Sequence, residues 1–114
     1  MVEINTAERD SYTLIEVEGE VDASSSIFLD EALTQAEEQS PRYIIVDCSK
    51  LEYISSAGLG VFMSRIQDYE NDNRHMVIFG LSAKVTNVFQ ILGLDQLLTI
   101  VDSFEEATEK VNAL

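Results

Sequence analysis

The segment "YIIVDC" (residues 43–48) is a short apolar run rich in β-branched residues, and "MVIFG" (76–80) repeats the pattern further on. Runs of this length without polar alternation mark strands buried on both faces. Between them, Leu59, Phe62, Met63, Ile66 and Tyr69 recur three or four apart, the spacing of one apolar helix face. Buried strands alternating with amphipathic helices confine the chain to an α/β layer fold.

The remaining segments extend the alternation. "VEINTAE" (2–8) and "YTLIEVEG" (12–19) have strand-like composition, and "ERDS" between them has turn composition. Two strands joined by so short a turn pair antiparallel, so the sheet is expected to be mixed. "GEVD" (19–22) is expected to break the second strand, after which Asp22 and Ser24–Ser26 offer caps for a helix with Leu29, Leu33 and Ala36 inward. Pro41 is expected to end that helix, and "SKLEY" (49–53) to be a loop. A helix over 82–93 should bury Val85, Val88, Phe89 and Leu92, with Gly93 at its C-terminal end. "LLTIV" (97–101) is a short strand. "SFEEATEKVNAL" closes the chain as a helix, with Ser103 and Glu106 at capping-box spacing. The expected order is β-β-α-β-α-β-α-β-α, a small mixed sheet with helices packed against it, in one domain spanning residues 1–114.

Composition removes several function classes. The chain has 21 Asp and Glu against 7 Lys and Arg, a formal charge of −14. Such a surface repels phosphate backbones and anionic lipid, so neither nucleic acid nor membrane is an expected partner. It is either an acidic solubilising surface or one that steers towards a basic protein patch. No apolar run is long enough to span a bilayer, and "MVEINTAERD" is not a secretory signal. A lone cysteine, Cys48, is expected to be a buried strand residue in a reducing compartment, the cytoplasm.

Catalytic and cofactor chemistry finds little to work with. A hydrolase elbow needs Gly-x-Ser-x-Gly, and Ile54 stands where the first glycine belongs before Ser56. The single histidine, His75, has no recognisable triad partner. Cys48 and His75 lack ligand-spaced companions, so no metal is expected. There is no Gly-Lys pair for a P-loop, and Gly58 and Gly60 alone make no dinucleotide fingerprint, so no cofactor is expected. Asp47 has no neighbouring acid for a receiver-like pocket.

"YISSAGLGVF" (53–62) stands out. Ser55 or Ser56 should fall at the first turn of the helix that begins near Ala57, where backbone amides lack partners and the helix dipole is positive. A phosphate there would be tolerated by the fold and would add a charge of about −1.5 to −2. Alternatively, one serine caps the helix and neither is modified.

"GEVD" (19–22), "DCS" (47–49), "SSAGLGVF" (55–62) and "ILGLDQLLTI" (91–100), in this order along nearly the whole chain, resemble the STAS domain of bacterial anti-sigma factor antagonists. The resemblance implies a non-enzymatic switch protein. Such a protein binds an anti-sigma factor that is also a serine kinase and so frees a sigma factor. It is released when that kinase phosphorylates it, and a metal-dependent serine phosphatase resets it. By position the acceptor is Ser56, with Ser55 as the alternative, because antagonists of this kind often carry Asp where Ser55 stands. The resemblance places Asp22, Ser55, Ser56, Gly58 and Leu59 at the partner surface, and Asp47 and Ser49 on a loop supporting the acceptor. Two other readings remain: an unphosphorylated STAS scaffold or subunit of a stress-sensing or lipid-transport complex, and, more remotely, a small serine hydrolase.

Overall fold

The first two apolar segments form a hairpin. Strand β1 (Val2–Glu8) lies antiparallel to β2 (Thr13–Val21), with Val2 opposite Gly19 and Glu8 opposite Thr13. The Arg9 amide donates to the Tyr12 carbonyl at 2.8 Å and tightens the turn. From β2 onward every strand is parallel to its neighbour: β3 (Tyr43–Ile54) on β2, β4 (His75–Phe79) on β3, and β5 (Thr99–Val101) on β4. The sheet order is β1-β2-β3-β4-β5. These relations come from a computed structural model that describes residues 2–9, 11–39 and 42–113.

Helices connect the parallel strands: α1 (Ser26–Glu38), α2 (Ser56–Asn71), α3 (Ala83–Ile91) and, after β5, α4 (Phe104–Ala113). A short 3-10 turn (Leu94–Gln96) precedes β5. The element order is the one expected, and the sheet is mixed. No helix among the described residues is long and apolar enough to cross a membrane.

Strand periodicity divides the core in two. Ile44, Val46 and Cys48 of β3 point to one face, where they join Ile15, Leu29, Leu33, Phe62 and Phe89 beneath α1, α2 and α3. Ile45, one residue out of phase, points to the other face and meets Val77, Phe79, Ala107 and Val111 beneath α4. The central run is therefore buried on both sides, as its composition requires.

Several boundaries differ from the sequence expectation. "GEV" does not break β2; the strand continues to Val21. Register shifts between Glu16 and Glu18 and between Gly19 and Glu20, with Gly19 at φ 96°, absorb the irregularity as a bulge. "SKLEY" is strand, not loop: Lys50, Leu51, Tyr53 and Ile54 pair with the end of β2. Leu51 and Ile54 are buried there, while Ser49, Lys50, Glu52 and Tyr53 face outward and lend the segment its loop-like polarity. On α2, Met63 is 49% exposed, and the inward line runs through Leu59, Phe62, Arg65 and Tyr69 instead. On α3, which ends at Ile91, Leu92 is the C-cap and is exposed; Val85 and Phe89 carry the burial, and Val88 is half-buried. Gly93, at φ 72°, takes the left-handed position that follows the helix. The Ser103 hydroxyl accepts from the Glu106 amide at 3.2 Å and caps α4. Pro41 lies outside the described residues.

Candidate functional site

Parallel strands put their carboxyl ends on one edge of the sheet, and the segments leaving them gather there. Val21 and Ile54 are the last paired residues of β2 and β3. Asp22 and Ser55 are thus the first residues beyond two strand ends about 4.8 Å apart. The Ser55 amide donates to the Val21 carbonyl at 2.8 Å and ties the start of α2 to the end of β2.

The two serines have different surroundings. Ser55 has extended backbone (φ −84°, ψ 171°), and its hydroxyl accepts from the Gly58 amide at 3.3 Å. It is the N-cap of α2, meeting one of the unpartnered first-turn amides. Ser56 is the first helical residue; it is exposed, and among the described residues its hydroxyl makes no hydrogen bond. The positive end of the helix lies beneath it.

Gly58 and Leu59 are placed differently from the sequence expectation of a partner surface. Leu59 is 1% exposed and packs inward, and Gly58 is buried. A Cβ on Gly58 would fall 2.7 Å from Ile54 Cγ1 and 2.8 Å from Val21 Cγ1. Absence of a side chain lets α2 start hard against the two strand ends. Both residues seat the serines from within.

Asp22 is held by its own turn. Its Oδ1 accepts from the amides of Ser24 and Ser25 at 3.0 and 2.9 Å and from their hydroxyls at 2.9 and 2.8 Å. The Ser25 hydroxyl, then the Ser24 hydroxyl, lower its pKa from 3.8 to about 2. Asp22 is therefore a fixed negative charge, partly exposed, beside the serines. Among the caps expected from Asp22 and Ser24–Ser26, Ser25 occupies the N-cap of α1; its side chain makes no capping bond, and the Asp22 carboxylate receives the nearby amides.

Asp47 and Ser49 pair with each other: Asp47 Oδ1 accepts from the Ser49 amide at 2.9 Å and the hydroxyl at 2.6 Å. They lie within β3 rather than on a loop, since the strand runs on to Ile54. Gly80, at φ +81°, follows β4 so closely that a Cβ would meet the Ser49 amide nitrogen and Cα at 3.0 Å. Asp47 and Ser49 share no hydrogen bond with Ser55 or Ser56 among the described residues. They abut the β4–α3 connection instead.

Cys48 is buried, and desolvation, with a smaller push from Asp47, raises its thiol to about 12, leaving it an inert core group. His75 opens β4 and stacks on Tyr43 at a ring separation of 5.6 Å. It therefore sits at the amino ends of the parallel strands, at the other end of the sheet from Ser56, and no Ser–His pair is assembled among the described residues.

One cluster had no counterpart in the sequence expectation. Arg65, 8% exposed, joins α2 to α1. Its Nε donates to Glu37 Oε2 at 2.7 Å and its Nη1 to Asp30 Oδ1 at 2.9 Å; Nη2 reaches the Asp30 carbonyl and the Thr34 hydroxyl, each at 3.1 Å. Tyr69 donates its hydroxyl to the same Glu37 oxygen. Burial works against the guanidinium charge, and the two carboxylates more than offset it. Burial, then the bond to Glu37, raises the Tyr69 pKa. The sequence signal was a charge inside the apolar stripe, three residues after Phe62 and four before Tyr69.

Comparison with known proteins agrees with this fold. A family model described as the STAS domain matches residues 3–107. The anti-sigma-B factor antagonist of Staphylococcus aureus (strain NCTC 8325 / PS 47) is 28% identical over 102 residues, 90% of this chain and 94% of that protein. The crystal structure of an anti-sigma factor antagonist from Mycobacterium paratuberculosis superposes with a TM-score of 0.89 at 18% identity, over 98% of this chain and 95% of the other. The Bacillus cell fate determinant SpoIIAA in its phosphorylated form gives a TM-score of 0.69 at 22% identity, over 97% and 99%.

Proposed function

The chain belongs to the STAS-domain family, and on that premise we propose that it is an anti-sigma factor antagonist controlled by phosphorylation of Ser56. In this reading the unphosphorylated protein occupies an anti-sigma factor that is also a serine kinase, in the cytoplasm, and a sigma factor is freed. Phosphate on Ser56 ends the complex, and a metal-dependent serine phosphatase restores it. The protein acts by binding and has no catalytic role of its own.

The observation that carries the reading is the division of labour between the two serines. Ser55 caps α2, whereas Ser56 is exposed with its hydroxyl unengaged. A phosphate at Ser56 would stand at the positive end of α2 and disturb few internal contacts. Its charge of about −1.5 to −2 would arrive beside ionised Asp22, on a chain whose formal charge is already −14. The effect falls on the partner: a surface that accepts Asp22 and a neutral serine meets added charge and bulk at its centre. Asp47 and Ser49, through their packing against the β4–α3 connection, are proposed to support the neighbouring part of this edge.

The test is to incubate the protein with its cognate kinase and ATP and to map the phosphopeptide. Modification at Ser56, abolished in Ser56→Ala and retained in Ser55→Ala, is the expected result. Modification confined to Ser55 or Ser64 overturns the assignment. Stable kinase binding with no modification would favour the unphosphorylated scaffold.

A further inference from the structure

A cleft of about 450 Å³ opens between the second half of α2 and the turn leading into β5. Phe62, Ile66, Met76, Leu97 and Leu98 supply apolar walls, and polar side chains including Glu70, Asn73 and Gln96 share the lining. Leu97, which follows the 3-10 turn, is 61% exposed at the cleft. Arg74 and His75 also line it. The cleft belongs to the amino ends of the parallel strands, because His75 opens β4 and Thr99 opens β5. Ser56 and Asp22 leave the carboxyl ends, so the two regions are separate.

We propose that this cleft binds a small amphipathic carboxylate, an aliphatic or aromatic body carrying one negative group. Its volume lies in the range of small-molecule sites, roughly 300–1,000 Å³. The apolar walls would take the body. Arg74 would take the carboxylate: among the described residues its side chain has no ion pair or hydrogen bond, in a chain with only 7 Lys and Arg. Arg74 lines the cleft, and its backbone is fixed there by donation of the Arg74 amide to the Tyr69 carbonyl at 2.8 Å. The other arginine on the lining, Arg65, is already saturated by Asp30 and Glu37. One free guanidinium matches one carboxylate, by a two-pronged hydrogen bond. A nucleotide, with several phosphates, would bring more negative charge than one guanidinium can answer.

Phenylbutyrate and its neutral analogue phenylbutyramide test the idea in an amide-resolved NMR titration of the full chain. Saturable shifts centred on Ile66, Arg74, His75 and Leu97 are expected with the carboxylate. Binding should weaken at least about tenfold, or 1.4 kcal/mol, for the neutral analogue and in Arg74→Gln. Leu97→Glu, at an exposed position the fold tolerates, should abolish it. Ser56→Asp should bind the probe as wild type does, which separates this site from the phosphorylation switch. Equal affinity for the neutral analogue, shifts gathered at Ser55 and Ser56, or no saturation at millimolar probe would each overturn the proposal.

Discussion

Replacing Arg65 with Met keeps most of the side-chain volume and removes the charge that joins α1 to α2. The largest loss is at Glu37, whose side chain is 19% exposed and would keep Tyr69 as a donor but lose its cation. Breaking one partner out of a buried ion pair costs about 3–5 kcal/mol. Asp30 is 50% exposed, so its pair adds no more than about 1 kcal/mol. Partial rehydration of Glu37 and the apolar contacts of Met reduce the total, and we expect a net loss of about 2–3 kcal/mol. At about 4 °C per kcal/mol for a domain of this size, Tm should fall by roughly 8–12 °C. Scanning calorimetry and urea unfolding at neutral pH measure it, with the urea slope unchanged if the denatured state is unaffected. The double variant Arg65→Met/Glu37→Gln keeps an acceptor for Tyr69 without a stranded charge and should recover at least about half of the loss. A Tm drop under about 2 °C, or a double variant no more stable than the single one, would refute the reasoning.

Four further outcomes follow from the site. Ser55→Ala should cost about 0.5–2 kcal/mol as a lost cap, while Ser56→Ala stays within about 0.5 kcal/mol by urea unfolding; the reverse order would exchange their roles. Against the kinase, Ser56→Ala should bind like wild type and persist in ATP, and Ser56→Asp should bind at least about tenfold more weakly by calorimetry; equal affinities would reduce Ser56 to a structural residue. Gly58→Ala adds a Cβ that overpacks Val21 and Ile54, costing about 1–3 kcal/mol before the gain of about 1 kcal/mol in helix propensity, and amide shifts should move near residues 21 and 54–59; a more stable protein with unmoved shifts would contradict the contact. The folded-state pKa of Asp22 is lowered from 3.8 to about 2, so its stabilising effect is complete above pH 3.8 and is lost as pH falls through 2; the stability difference between wild type and Asp22→Asn should shrink over that window, and a constant difference would show that the hydroxyls do not favour the ionised form.

The legible parts of the chain were those where one physical signal dominated. "YIIVDC" could satisfy its apolar residues only between two layers, and it lies between them. Gly93 ended a helix because a left-handed residue was needed there. The segment "SKLEY" misled because burial on one face alone leaves most of its residues polar, and pairing with a bulged partner spoils the two-residue rhythm. Met63 misled in the opposite sense: periodicity allows it inward, yet Arg65 takes the adjoining inward position because two acids of α1 neutralise it. No pattern within α2 could reveal those partners, which lie 28 and 35 residues away. At the site, the sequence located the serine pair but could not divide the roles, because the cap is decided by which residue keeps extended backbone.

The order β1-β2-β3-β4-β5 means that each strand adds beside the one made just before it. No strand has to wait for a later one to fill a gap, and no connection crosses over a strand already in place. A chain emerging from the ribosome can therefore lay down its sheet in the order of synthesis, with each helix closing over the pair of strands it joins. Pairings between sequence neighbours keep loop-closure costs low and favour fast folding for a mixed α/β domain. The edge that carries Asp22 and Ser56 is complete once β3 and the first turn of α2 have formed, before β4 and β5 are added.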